Sequence, residues 1–231
     1  MSDRASQTPP RPDALPEGTV RGLHDFLIER VLRRLARPGE RVVDLGAGSG
    51  ALAMKMLALG LEPVAVDQRR ESFRATVPFV ELDLNDPVFS DKVGAGRFGI
   101  VTAVEVIEHV EAPVNLLRNA KRLLKPGGHI VISTPNVDNI PARVKFLLTG
   151  KIRMMDQSGD ATHMSPIFWD LFNRQMLPRA GLELREHHVY PANGYIVTRR
   201  RYTWAMRALG WVLRGDCNAG DNHIVVLRSS R

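Results

Sequence analysis

Cysteine is almost absent: the chain of 231 residues holds one, Cys217. No internal disulfide can form, a zinc cluster has no ligands to build on, and the usage fits a reducing cytoplasm. Long apolar runs are missing too. No stretch reaches 18 such residues, which excludes a spanning helix. The opening Ser-Asp-Arg-Ala-Ser-Gln-Thr-Pro-Pro-Arg-Pro lacks the apolar core of a signal peptide. Residues 1–17 therefore read as a disordered leader, because prolines remove backbone donors and apolar content is too low to pack. No repeat at solenoid periods appears, so 18–231 reads as one domain. Its hydrophobic fraction of 44% is enough to bury a core without covalent staples.

The formal net charge is +7 and the sequence pI about 10.1. Such a balance favours polyanions, either nucleic acid or an anionic membrane surface, unless the charge is spread over a solvated exterior.

Apolar runs alternate with helical patterns along the chain. Residues 18–36 carry Leu23, Leu27, Val31 and Leu35 on one helical face, and Pro38-Gly39 ends the pattern. Short strands are expected at 41–45, 63–66, 79–82, 99–104 and 129–133, with helices at 51–59 and 112–124 between them. Helices at 142–149 and 166–180 and late strands at 182–190 and 223–227 follow. The pattern predicts an α/β fold, a doubly wound and mostly parallel sheet. Residues 136–180 would cap the acceptor side, and 191–222 would form a basic amphipathic elaboration.

Ligands of open parallel sheets sit beyond the carboxyl ends of the strands. Asp44, Asp67, Asp83 and Glu105 stand at or just before four successive strand ends. The first turn, Asp-Leu-Gly-Ala-Gly-Ser-Gly over 44–50, allows a close backbone approach by a ligand at a helix N-terminus. Asp67 lies 21 residues after Gly46, where a cofactor ribose is bound in either a dinucleotide or an S-adenosylmethionine site. The glycine turn alone does not choose between them.

The later segments do. Val-Val-Asp-Leu-Gly-Ala-Gly-Ser-Gly, Val-Ala-Val-Asp, Glu-Leu-Asp-Leu-Asn-Asp and Leu-Lys-Pro-Gly-Gly-His-Ile-Val-Ile-Ser-Thr-Pro-Asn occur in this order. The set resembles the class I S-adenosylmethionine-dependent methyltransferases, densely over 41–136 and thinly to about 190. The resemblance implies a Rossmann-like seven-stranded sheet with an antiparallel last strand, for which 223–227 is the candidate. It also implies that Gly46, Ala47, Gly48 and Gly50 wrap the methionine part of S-adenosylmethionine. Asp67 would hold the ribose hydroxyls and Asp83 the adenine amine, with Leu84 donating from its backbone. Asp44 would meet the methionine ammonium directly or through water, and Glu105 would line the same pocket.

Beyond the fourth strand comes Glu105-Val-Ile-Glu108-His109. Read as a helix, it puts Glu105, Glu108 and His109 on one face. Two carboxylates and an imidazole suit a hard divalent ion such as Mg2+ but lack one further ligand, which His163 in Ala-Thr-His-Met-Ser-Pro can supply. This set resembles those of two branches, the ubiquinone-biosynthesis O-methyltransferases and the small-RNA 3′-terminal 2′-O-methyltransferases. By that resemblance the metal ligands would be Glu105, Glu108, His109 and His163. The chain departs from the RNA branch after His163 and from the quinone branch at Pro135 and over 191–222. Without an ion, Glu105 would line the cofactor pocket, His109 would orient or deprotonate a substrate hydroxyl and His163 would be a loop residue satisfied by the backbone; His109 and Glu105 are the expected catalytic residues.

Residues 199–214 combine an apolar stripe (Tyr202, Ala205, Met206, Leu209, Leu213) with Arg200, Arg207 and Arg214, and with Trp204 and Trp211 at the same seven-residue step. The segment packs as a lid, lies peripherally in a membrane interface, pairs two copies or binds RNA. The expected function is methylation of a small-molecule or lipid-linked hydroxyl. An RNA 2′-O-methyltransferase and a non-catalytic cofactor-binding partner subunit are the alternatives. A nicotinamide dehydrogenase does not fit the later motifs.

Overall fold

β-Branched runs flanked by glycine turns become the centre of one seven-stranded sheet. The computed structural model describes residues 15–156, 160–196, 200–213 and 219–230, with backbone alone at 200, 201 and 212. The strands are β1 (Arg41–Leu45), β2 (Glu62–Asp67), β3 (Phe79–Glu81), β4 (Phe98–Val104), β5 (Leu124–Pro135), β6 (Leu182–Tyr190) and β7 (Asn222–Ser229). Their order is β3-β2-β1-β4-β5-β7-β6. β1 to β5 run parallel, with Val43 opposite Val64 on one side and Val101 on the other. β7 inserts antiparallel between β5 and β6, pairing Ile132 with Val225. The late strand expected at 223–227 is thus the antiparallel one, and β6 forms the edge. Strand order reverses between β1 and β4, the place where open sheets bind ligands.

Helices cover both faces: α1 (23–35), α2 (Ala51–Ala58), α3 (Phe89–Val93), α4 (Pro113–Leu123), α5 (Ile140–Thr149), α6 (169–180) and α7 (Arg200–Val212). Successive strand residues point to opposite faces. Val43 and Leu45 therefore join Phe98, Ile107, Leu116 and Leu117 in one core. Val42 joins Leu23, Leu27, Val31 and Met56 in the other. The apolar face read on α1 is the buried one, although the helix opens at Leu23 because 18–22 form turns, and 27–32 widen into a π-helix.

Part of the expected leader is not free chain. Residues 1–14 lie outside the described residues, but 15–17 dock over the first turn. Ser49 Oγ donates to the Pro16 carbonyl at 2.7 Å, and Lys55 Nζ pairs with Glu17 at 2.9 Å and with Asp25. Lys55 is buried at 9% exposure, and a buried ammonium requires anionic partners. That pairing across the chain fixes a segment that local composition marks as disordered. In the 191–222 elaboration, Arg214 and Cys217 lie outside the described residues, while α7 forms within it.

Gly50 ends the first turn with φ +86°, and a Cβ there would stand 2.4 Å from Ala75 Cβ and 2.7 Å from Phe73 Cε2. Gly50→Ala should lower unfolding free energy by about 1–3 kcal/mol through strain and overpacking. Urea denaturation checks this, and an unchanged midpoint would contradict the packing described.

Candidate active site

The carboxyl ends of β1 to β4 border a cleft of about 520 Å³. Asp44, Gly46, Ala47, Gly48, Asp67, Asp83, Leu84, Glu105 and His109 all line it. Gly50 does not; its freedom serves packing against Phe73 and Ala75. Sequence reading missed Glu17, Thr19 and His24 from the docked N-terminal segment, and Asp160 and Thr162 from the loop after α5. The Asp-x-Thr-His run was the available signal for the second pair.

Backbone geometry holds the first turn open. Gly46 and Ala47 donate to the Val66 carbonyl at 2.8 and 3.1 Å, stapling the turn to β2. Gly46 has φ +70°, and a Cβ on it would stand 2.4 Å from Val106 Cγ2. Asp67 accepts the Gly48 amide on one oxygen and the Arg69 amide on the other, each at 2.9 Å. A carboxylate has about four acceptor positions, so Asp67 keeps capacity for further donors while its orientation is fixed. Asp44 accepts Thr102 Oγ at 2.6 Å. Burial raises its pKa to about 7, Thr102 opposes the rise, and the neighbouring Asp67 charge adds to it.

The expected helix at 105–109 does not form. Glu105 takes a left-handed conformation, φ +54°, and a tight turn follows in which His109 N–H donates to the Val106 carbonyl at 2.9 Å. The i, i+3, i+4 face is therefore lost, and Glu105 separates from the other proposed ligands. Its carboxylate turns towards β5 and β7, accepting Ser133 Oγ and Asn222 Nδ2, each at 2.7 Å. Burial lifts its pKa to about 7.

The remaining three do meet. One ligand atom each from Glu108, His109 and His163 lies within 4.8 Å of the others, and the two rings stand edge to face with centroids 4.6 Å apart. The loop carrying His163 is zipped to the turn: Met164 and Ser165 amides both donate to the Glu108 carbonyl at 2.9 Å, and Ser165 Oγ to that of Val110. Hydrogen bonding also assigns the tautomers. Thr162 Oγ gives its proton to Asp160 at 2.6 Å, so it accepts from His109 Nδ1 at 2.8 Å. His163 Nδ1 donates to the Met154 carbonyl at 2.7 Å. Both Nε2 atoms are thereby left with lone pairs. Glu108 accepts Thr134 Oγ at 3.0 Å on one oxygen, while its other oxygen, Oε1, is buried without a hydrogen-bond partner. Burial and the Glu105 charge push the Glu108 pKa well up. Burial and His163 lower that of His109.

A third feature had no sequence signal. Trp169 stacks on His187 and His223 with centroids 3.8 and 5.0 Å away, and His187 Nε2 meets His223 Nδ1 at 3.0 Å. Burial drives the pKa of His223, which lies behind Thr134, down to about 3, so this ring is neutral.

A family model described as a methyltransferase domain matches residues 20–214. The ubiquinone biosynthesis O-methyltransferase of Xanthomonas campestris pv. campestris (strain B100) is 33% identical over 142 residues, covering 58% of this chain and 59% of the relative. The chain thus spans about three-fifths of the length of that relative. The enzyme of the same name from Marinobacter nauticus is 28% identical over 188 residues, covering 74% and 76%. Among solved structures, an S-adenosylmethionine-dependent methyltransferase from Archaeoglobus fulgidus superposes with a TM-score of 0.59 at 17% identity, over 90% of this chain and 96% of that one.

If Asp44 is the counter-ion of a ligand ammonium, binding requires its ionised form. With a free-protein pKa of about 7, affinity for S-adenosylmethionine should rise roughly tenfold between about pH 6 and about pH 8 and then level off. Calorimetry across this range tests it, with Asp44→Asn expected to flatten the profile. A pH-independent affinity of the native chain would remove Asp44 from that role.

Proposed function

The chain belongs to the methyltransferase domain family, and on that premise we propose that it moves the methyl group of S-adenosylmethionine to a hydroxyl oxygen of a small-molecule or lipid-linked acceptor. It is an S-adenosylmethionine-dependent methyltransferase. The observation that carries this reading is the Glu108–His109–His163 cluster, whose His109 lines the cleft. A sulfonium methyl is already activated, so transfer to any nucleophile needs positioning above all. A hydroxyl must in addition lose a proton, and the cluster offers the means. A carbon or nitrogen acceptor would not need the cluster in this form.

Assigned to the cofactor, Asp67 receives the ribose hydroxyls, Asp83 the adenine amine with Leu84 beside it, and Gly46 to Gly48 the methionine part. Asp44 faces the ammonium and Glu105 closes the same end of the cleft. The donor set also fits a divalent cation. Glu108 Oε1 is an orphaned buried acceptor, and the two Nε2 lone pairs are oriented by outer partners in the way metal-bound histidines are. A bound divalent ion supplies positive charge that lowers the pKa of a hydroxyl beside it. Glu108, His109 and His163 would hold it; Glu105, bonded to Ser133 and Asn222, stands outside. His109 Nε2, on a ring that lines the cleft, is equally placed to accept the hydroxyl proton. The names of the Xanthomonas and Marinobacter relatives specify O-methyl transfer, which supports an oxygen acceptor.

Asp67→Ala should weaken S-adenosylmethionine binding by about 2–3 kcal/mol, the loss of charge-assisted contacts to the ribose. Calorimetry measures this, and an unchanged Kd would displace the ribose from β2. Mn2+ titration addresses the cluster: saturable binding is expected, weakened tenfold or more, as roughly befits a lost ligand, in His163→Ala. Absence of binding in the native chain would leave His109 alone as the proton acceptor.

A further inference from the structure

The positive charge of this chain is not spread over its surface. Residues 139–155 and 191–215 contain nine lysines and arginines and no aspartate or glutamate. The remainder holds twenty-three basic against twenty-five acidic residues, so the whole excess of +7 resides in two segments. These segments carry α5 and α7, which pack against each other.

The same two helices display half of the large apolar side chains that solvent reaches among the described residues. On α5, Phe146, Leu147 and Leu148 are 56%, 83% and 76% exposed. On α7, Trp204 and Trp211 are 74% and 93% exposed. Soluble surfaces tolerate such side chains singly; five on a pair of touching helices mark a contact face. The stripe of Ala205, Met206 and Leu209 on α7 is half-buried, so it faces the protein, and the tryptophans stand opposite. Trp204, Arg207 and Trp211 follow at three and four residues and share that outer face. Arg143 and Lys151 flank the leucines and are exposed; Arg153 is buried against Asp221 and belongs to the fold.

We propose that the α5–α7 face docks on the surface of an anionic lipid bilayer, with Leu147 and Leu148 entering the acyl boundary and Trp204, Trp211 and Arg207 seated among headgroups. Adjacent leucines have no π-face for a nucleobase, whereas acyl chains accept them. Lys145 is paired with Asp156 at 2.7 Å, but Arg143, Lys151 and Arg207 leave the face net basic, and a second copy would have to set these like charges against each other. Tryptophan and arginine at headgroup depth with aliphatics below are the composition of an interfacial anchor. No helix among the described residues is long and apolar enough to cross a membrane, so the contact is peripheral. The inference concerns binding alone and stands apart from the acceptor proposed above.

Flotation of the full chain with vesicles tests it, comparing phosphatidylcholine alone with phosphatidylcholine containing phosphatidylglycerol. Association is expected only with the anionic vesicles, with a blue shift of tryptophan emission as Trp204 and Trp211 leave water. The double variant Leu147→Asp/Leu148→Asp should reduce partitioning roughly tenfold or more. Both side chains are exposed, and an unaltered melting temperature will confirm that the variant is folded. Arg207→Glu should weaken association and its salt dependence. Three results would overturn the proposal: no flotation with anionic vesicles at low salt, flotation indifferent to the leucine variant, or assembly into a dimer that the leucine variant abolishes in the absence of lipid. Binding of a short single-stranded RNA without vesicle binding would transfer the face to nucleic acid and overturn it equally.

Discussion

The left-handed turn at Glu105 is the constraint on which the site depends. A non-glycine residue at φ +54° carries a strain of about 1–3 kcal/mol. The surroundings offset it: the Glu105 amide donates to both the carbonyl and Oγ of Ser133 at 3.1 Å, and its carboxylate is held by Ser133 and Asn222. Three strands thus meet at one residue, β4 through its end, β5 through Ser133 and β7 through Asn222. The reversal then lays Val106 across Gly46, in a space that only glycine leaves open. It also delivers Glu108 and His109 to the loop bearing His163. A helix from Glu105 onward would have sent these side chains along one face and away from that loop.

The electrostatics follow from the same burial. Asp44, Glu105 and Glu108 all have raised pKa values, although the chain as a whole is basic. Carboxylates withdrawn from water with no cation nearby hold their protons longer. On the proposed assignment, a ligand bearing a sulfonium and an ammonium would reverse this at the Asp44 end of the cleft. A divalent ion would do so at the Glu108 end. Binding of either would then be coupled to proton release. The excess positive charge falls in the two sequence segments that carry α5 and α7, apart from the strand ends that supply these acids.

The fold was legible because its signals are local. Strand ends, the glycine turn and the apolar face of α1 follow from periodicity and turn chemistry over a few residues, and the antiparallel position of 223–227 followed from the family resemblance. That Asp44, Asp67 and Asp83 line one cleft was legible for the same reason, since strand ends bring them to one edge of the sheet. What escaped depends on contacts between distant residues. Glu105 was placed on a helix because 3.6-residue spacing was the natural reading of Glu-x-x-Glu-His, and nothing nearby in sequence reports Ser133 and Asn222. Residues 15–17 looked disordered because their order comes from Lys55, some forty residues away. The Trp169–His187–His223 stack joins three elements, none of which shows a pattern on its own. Gly50 was read as a ligand contact because glycine in such a turn has two uses, and only packing tells them apart.

The outer face and the cleft are joined by one stretch of chain. α5 starts five residues after the end of β5, on the carboxyl edge where the cleft opens, and ends in the exposed leucines. The chain then returns through Arg153, fixed to Asp221 at 3.0 Å, and Met154, whose carbonyl orients His163. The surface proposed to touch lipid at Leu147 and Leu148 is thus tied within a few residues to the backbone that sets a candidate ligand. An amphiphilic acceptor whose tail stays in the bilayer needs only its polar head lifted to the rim of the cleft. The hydroxyl would then meet His109 while the tail avoids water, so hydrophobic binding energy would serve to position the reacting oxygen, as methyl transfer most requires.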